Sequence, residues 1–126
     1  MILFAKRRFN IMIIETGKLK TEYRDNMRGG EGKVKITHLV SENELCGKGR
    51  LFAQITLEPG CSIGYHTHDS DSEIFHILEG CAIYSDNGKE VVANAGDVLV
   101  CSKGEGHSIK NAGDGRIILT ALIVYA

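Results

Sequence analysis

The chain has 126 residues, 43% of them apolar and 25% charged, with a formal net charge of −1. That length suits one domain around a single core, and the composition is that of a globular protein rather than a disordered one. No basic excess marks a nucleic-acid binder, and no apolar run approaches the roughly 20 residues that span a bilayer as a helix. Neither a nucleic-acid nor a membrane partner is therefore expected.

The opening MILFAKRRFNI places Lys6, Arg7 and Arg8 after too short an apolar stretch for a secretory signal. Met12 begins MIIETGKL and is a second candidate start. Residues 1–26 are expected to form an N-terminal extension and edge-strand region, and residues 27–126 the folded domain. Residues 1–11 are either a pairing edge strand or a frayed end. The stretch YRDNMRGGEGK (23–33) is a glycine-rich turn with no helix-forming run after it, so it is not a phosphate loop. Arg28 within it is a candidate for binding an anionic group, since guanidinium matches carboxylate and phosphate.

From Val34 onward the pattern is β almost throughout. VKITHLV (34–40) alternates, with Val34, Ile36, His38 and Val40 on one face. SENELCGKG (41–49) predicts a short helical turn or loop, and RLFAQITLEPG (50–60) a strand ended by Pro59-Gly60. Further strands are expected in 63–68, 73–80, 81–102 and 107–126, with Asn87-Gly88 as a type I′ hairpin turn. Short strands joined by glycine turns predict an all-β sandwich or barrel. The apolar C-terminal run IILTALIVYA (117–126) predicts a strand buried on both faces.

The chemistry concentrates in GCSIGYHTHDSDSEIFHILEG (60–80). His66 and His68 share a face by alternation, and a hairpin through Asp69–Ser72 would return Glu73 beside them. Two neutral imidazoles and a carboxylate suit a divalent first-row metal, and His107 is the best downstream candidate for a fourth ligand. On the strand of Glu73, Phe75 and Ile77 face the same way and are expected to line the pocket; His76 faces away. His38 is a weaker pocket candidate. Gln54, polar among apolar neighbours, either donates a hydrogen bond behind the ligands or faces solvent. Cys46, Cys61, Cys81 and Cys101 are widely spaced, so reduced, mostly buried thiols in a cytoplasmic protein are expected. Cys101 is a minor candidate ligand.

These residues carry a family resemblance. Gly60, His66-Thr67-His68, Glu73 and Gly80 resemble the first conserved motif of the cupin family, and Gly96, Gly104, His107 and Asn111 its second. Ser102 stands where that motif usually has proline. The resemblance covers roughly residues 27–125 and implies a single-domain jelly-roll β-barrel over residues 27–126. It further implies a metal, iron, manganese, nickel or zinc, held by His66, His68, Glu73 and His107, and a homodimer. The expectation is a metal-dependent small-molecule enzyme, isomerase- or dioxygenase-like, with a non-catalytic module binding a sugar-like or acidic ligand as the alternative.

Overall fold

The computed structural model describes residues 12–126. The expectation of an edge strand or frayed end at residues 1–11 lies outside the described residues. Ten strands follow in order: β1 (Lys20–Asp25), β2 (Lys33–His38), β3 (Gly49–Leu57), β4 (Ser62–Thr67), β5 (Asp71–Glu79), β6 (Cys81–Asp86), β7 (Lys89–Asn94), β8 (Val98–Cys101), β9 (Gly106–Lys110) and β10 (Ile117–Tyr125). The described residues hold three short 3-10 turns, at Thr16–Lys18, Met27–Gly29 and Glu42–Leu45, and no α-helix. Among them no helix is long and apolar enough to cross a membrane.

All strand pairs are antiparallel, in a six-stranded sheet ordered β1-β2-β3-β10-β5-β8 and a four-stranded sheet ordered β4-β9-β6-β7. Together they form a jelly-roll barrel. Alternation places Val34, Ile36, Ile55, Leu57, Phe75, Ile77 and Leu119 of the first sheet inward, each no more than 2% exposed. They pack in one cluster with Ile63, Ala82, Tyr84, Ala93 and Ile109 of the second. At the β6–β7 turn Asn87 (φ 52°) and Gly88 (φ 91°) are both left-handed, as a type I′ turn requires.

Three expectations are corrected. β4 and β5 do not form a hairpin, because β4 pairs with β9 while β5 pairs with β10 and β8. Asp69-Ser70 is instead a corner between sheets, and it lets the apolar face of β5 be covered by the opposite sheet. β10 is not buried on both faces. It lies between β3 and β5 with Ile117, Leu119, Ala121 and Ile123 buried, while Ile118, Thr120, Leu122 and Val124 are only half-buried. The thiols are free but not mostly buried. Cys101 is buried and Cys61 partly so, whereas Cys46, at the end of a 3-10 turn, and Cys81, at the start of β6, are exposed.

Candidate metal centre

β4 and β9 place His66 directly opposite His107. His68 follows at the end of β4, and Glu73, on the inward face of β5, reaches them from the other sheet. One ligand atom from each of the four lies within 4.8 Å of every other. The Nε2 atom of His107 is 3.2 Å from that of His66, 3.1 Å from that of His68 and 3.0 Å from Glu73 Oε1. Glu73 Oε1 is also 3.2 Å from His68 Nε2 and 3.8 Å from His66 Nε2.

The other ring nitrogens decide what those contacts mean. His66 Nδ1 lies 2.8 Å from the Gly64 carbonyl, and His68 Nδ1 lies 2.6 Å from Asp71 Oδ1. Both partners only accept, so in each neutral ring the proton sits on Nδ1 and Nε2 presents a lone pair. His107 Nδ1 is 2.8 Å from the Tyr84 hydroxyl. The lone pairs of His66 and His68 and the Glu73 carboxylate thus converge with His107 Nε2 on one point, where a bound cation relieves their repulsion. Metal bonds of about 2.1 Å would set neighbouring ligands about 3.0–3.4 Å apart, close to the spacing observed. The donor set fits a divalent ion.

Protons and a metal compete for this point. Burial alone would raise the pKa of Glu73, but pairing with the imidazoles of His107, His66 and His68 when they take up a proton holds its carboxyl well below the usual range. His68 is raised, first by its hydrogen bond to Glu73, with burial opposing and Asp71 assisting. His107 is lowered because burial disfavours its charged form more than Glu73 favours it. Burial pushes Tyr84 up, so its hydroxyl stays protonated beside His107.

Above the cluster lies a cavity of about 130 Å³. Arg24, Arg28, Arg50 and His38 line it with His66, His68 and Glu73, and Met27, Ile36 and Ile63 are among its apolar walls. Arg28 and His38 therefore stand where the sequence analysis expected pocket residues. Arg28 does so in a left-handed conformation (φ 55°), and its carbonyl packs so tightly on Gly64 that any Cβ there would strike it. His38 Nε2 contacts Glu22 Oε2 at 3.1 Å.

Phe75, Ile77 and Gln54 do not line the cavity. Each two-residue step along β5 runs about 7 Å deeper. Phe75 accordingly lies beneath the site, stacked on the His107 ring at 5.1 Å and 15°, and Ile77 belongs to the core. Gln54 alternates with buried Ala53 and Ile55, so it lies on the outer face beside Thr37 and Thr120. Cys101 is opposite Glu73 on β8 but outside the four-residue group, and burial pushes its thiol up to about 11. Asp71, Tyr84, Arg24 and Arg50 were missed; only Asp71 carried a signal, sharing the face of Glu73 by alternation. Where Ser102 replaces proline, Glu105 accepts from the Ser102 amide at 2.9 Å and its own amide donates to the Ser102 carbonyl at 2.9 Å, closing the turn.

A family model described as a cupin domain matches residues 53–125. The chain is a cupin. An oxalate-binding protein of Thermotoga maritima is 42% identical over 113 residues, covering 90% of this chain and 93% of that protein. A crystal structure described as a predicted oxalate decarboxylase, also from Thermotoga maritima, superposes with a TM-score of 0.87 at 41% identity, covering 91% of this chain and all of that one. A cupin-superfamily sugar phosphate isomerase from Silicibacter pomeroyi gives a TM-score of 0.70 at 17% identity, covering 91% of this chain and 76% of that one. That last likeness speaks to the fold alone.

Proposed function

We propose that this cupin holds one divalent transition metal through His66, His68, Glu73 and His107, and binds a small dicarboxylate against it. The observation that carries the reading is the convergence of imidazole lone pairs and a carboxylate beneath a cavity lined by three arginines. Three imidazoles and one carboxylate suit iron, manganese, nickel or zinc. Bound there, such an ion supplies a Lewis acid with positions open to ligand oxygens. The chain's own part is recognition: Arg28 offers a planar pair of donors to the far carboxylate, and Met27, Ile36 and Ile63 keep water from the pairing. A volume of about 130 Å³ suits an acid of a few heavy atoms better than a sugar, since drug-sized ligands occupy about 300–1,000 Å³. The name of the Thermotoga maritima relative supports the same ligand class.

A second reading is turnover of that acid, favoured by the open positions such an ion would keep. Titration calorimetry of metal-loaded protein with oxalate, malonate, acetate and a sugar phosphate, with NMR analysis of the mixtures, separates the readings. The proposal expects saturable, metal-dependent binding of one dicarboxylate per chain, with the acid recovered unchanged. Binding of the sugar phosphate alone, or oxalate binding indifferent to metal, would sink it. Loss of the acid to a product would establish the enzyme. We also propose the homodimer implied by the resemblance, packed over the row Phe52–Leu122–Ile74–Val100 on the outer face of the six-stranded sheet. Light scattering at the mass of a single chain would contradict it.

A further inference from the structure

We propose that Arg50 and Asp71 are linked positioning residues that hold His68 with its Nε2 aimed at the metal. This rests on reading the four side chains as metal ligands. Asp71 is 5% exposed and divides its carboxylate between two partners: Oδ1 lies 2.6 Å from His68 Nδ1, and Oδ2 accepts from Arg50 Nε at 2.8 Å.

Arg50 reaches Asp71 through an irregularity of the strand. β3 and β10 slip in register where Ile123 faces Leu51 but Val124 faces Gly49, which leaves Arg50 as the extra residue. Such a bulge re-aims one side chain. Arg50 and Leu51, consecutive in sequence, accordingly both line the cavity, which plain alternation forbids. Gly49 admits the close backbone approach, since a Cβ there would strike the Ile123 carbonyl. β10 lies between β3 and β5, so the bulge carries a guanidinium across β10 to a carboxylate on the far side.

His68 is held differently from its neighbours. A backbone carbonyl holds His66 and a phenol holds His107, both neutral groups. A carboxylate on Nδ1–H fixes the ring and makes Nε2 a stronger donor to metal. Arg50, by charge alone, would repel a cation. Positioning and simple proximity therefore predict opposite signs for its removal.

The test is a Co(II) titration of the full chain, read by visible absorption, for wild type, Asp71→Asn, Arg50→Met and the double variant, with thermal melts of the metal-free proteins. Wild type failing to bind Co(II) would overturn the metal reading itself, before the variants are compared. Given wild-type binding, Asp71→Asn should weaken it about 10- to 100-fold and alter the Co(II) spectrum. Arg50→Met should weaken it by a smaller factor, roughly fivefold, and add nothing in the double variant. Wild-type affinity and spectrum in Asp71→Asn, tighter binding in Arg50→Met, or additive losses would each overturn the proposal. If Asp71→Asn fails to fold, the sign for Arg50→Met, a partly exposed residue, decides alone.

Discussion

One face of β5 reads Asp71, Glu73, Phe75, Ile77, and its two halves behave differently although all four side chains are buried. Phe75 and Ile77 pack in the apolar cluster beneath the site, Phe75 stacked on the His107 ring. Asp71 and Glu73, one step of alternation higher, are tolerated because their oxygens have partners, Asp71 in Arg50 and His68 and Glu73 in His68 and His107. The apolar half needs correct volume. The polar half needs partners, and a pair left incomplete there costs far more than an exposed one.

Four measurements sharpen or break this contrast, taken from the largest effect. Phe75→Ala removes the ring beneath His107 and should cost about 3–5 kcal/mol in denaturant unfolding, with the metal site loosened as a consequence; a loss under about 1 kcal/mol would mean the floor is not packed. Gly64→Ala drives a Cβ into the Arg28 carbonyl at the site's wall and should cost about 1–3 kcal/mol while disturbing His66, whose Nδ1 leans on the Gly64 carbonyl. Wild-type stability would show that the close approach relaxes freely.

The third measurement is pH. The raised His68 stabilises the metal-free fold fully below the ordinary imidazole range, and that contribution fades as pH rises through its raised value; His107, lowered by burial, works in the opposite sense. Metal affinity should instead climb across the His68 window, by about tenfold per pH unit for each proton displaced. A flat metal affinity there would break the picture of proton and metal sharing one point. The smallest effect is expected for Arg28→Ala, an exposed cation at the mouth, which should weaken dicarboxylate binding about fivefold and leave metal affinity unchanged. An equal loss for acetate would assign Arg28 to general attraction rather than to the second carboxylate.

Much of this was legible in the chain. The Asn87-Gly88 turn, the strand boundaries near Gly60 and Gly80 and the shared face of His66 and His68 all follow from local rules of alternation and turn chemistry. What local rules could not carry was which sheet a strand joins. Asp69-Ser70 reads equally as a hairpin turn or as a corner, and only the need to cover the apolar face of β5 separates them. Arg50 was hidden for a related reason, since a bulge breaks the alternation by which inward residues are counted. Phe75 and Ile77 were assigned to the correct face but too near the ligand, because alternation gives side and not depth. Tyr84 gave no local signal, because its ring packs in the core edge-on to His107 and its hydroxyl reaches that ring only once the two strands are side by side.

The central claim is that four side chains from two sheets converge to hold one metal ion. The most direct test is elemental analysis of untagged protein after reconstitution with iron, manganese, nickel or zinc, beside His66→Ala treated identically. The account predicts about one ion per chain in the wild type and none above background in a variant that still melts cooperatively. Stoichiometric metal retained by the folded variant, or no metal in the wild type under any of the four ions, would contradict it.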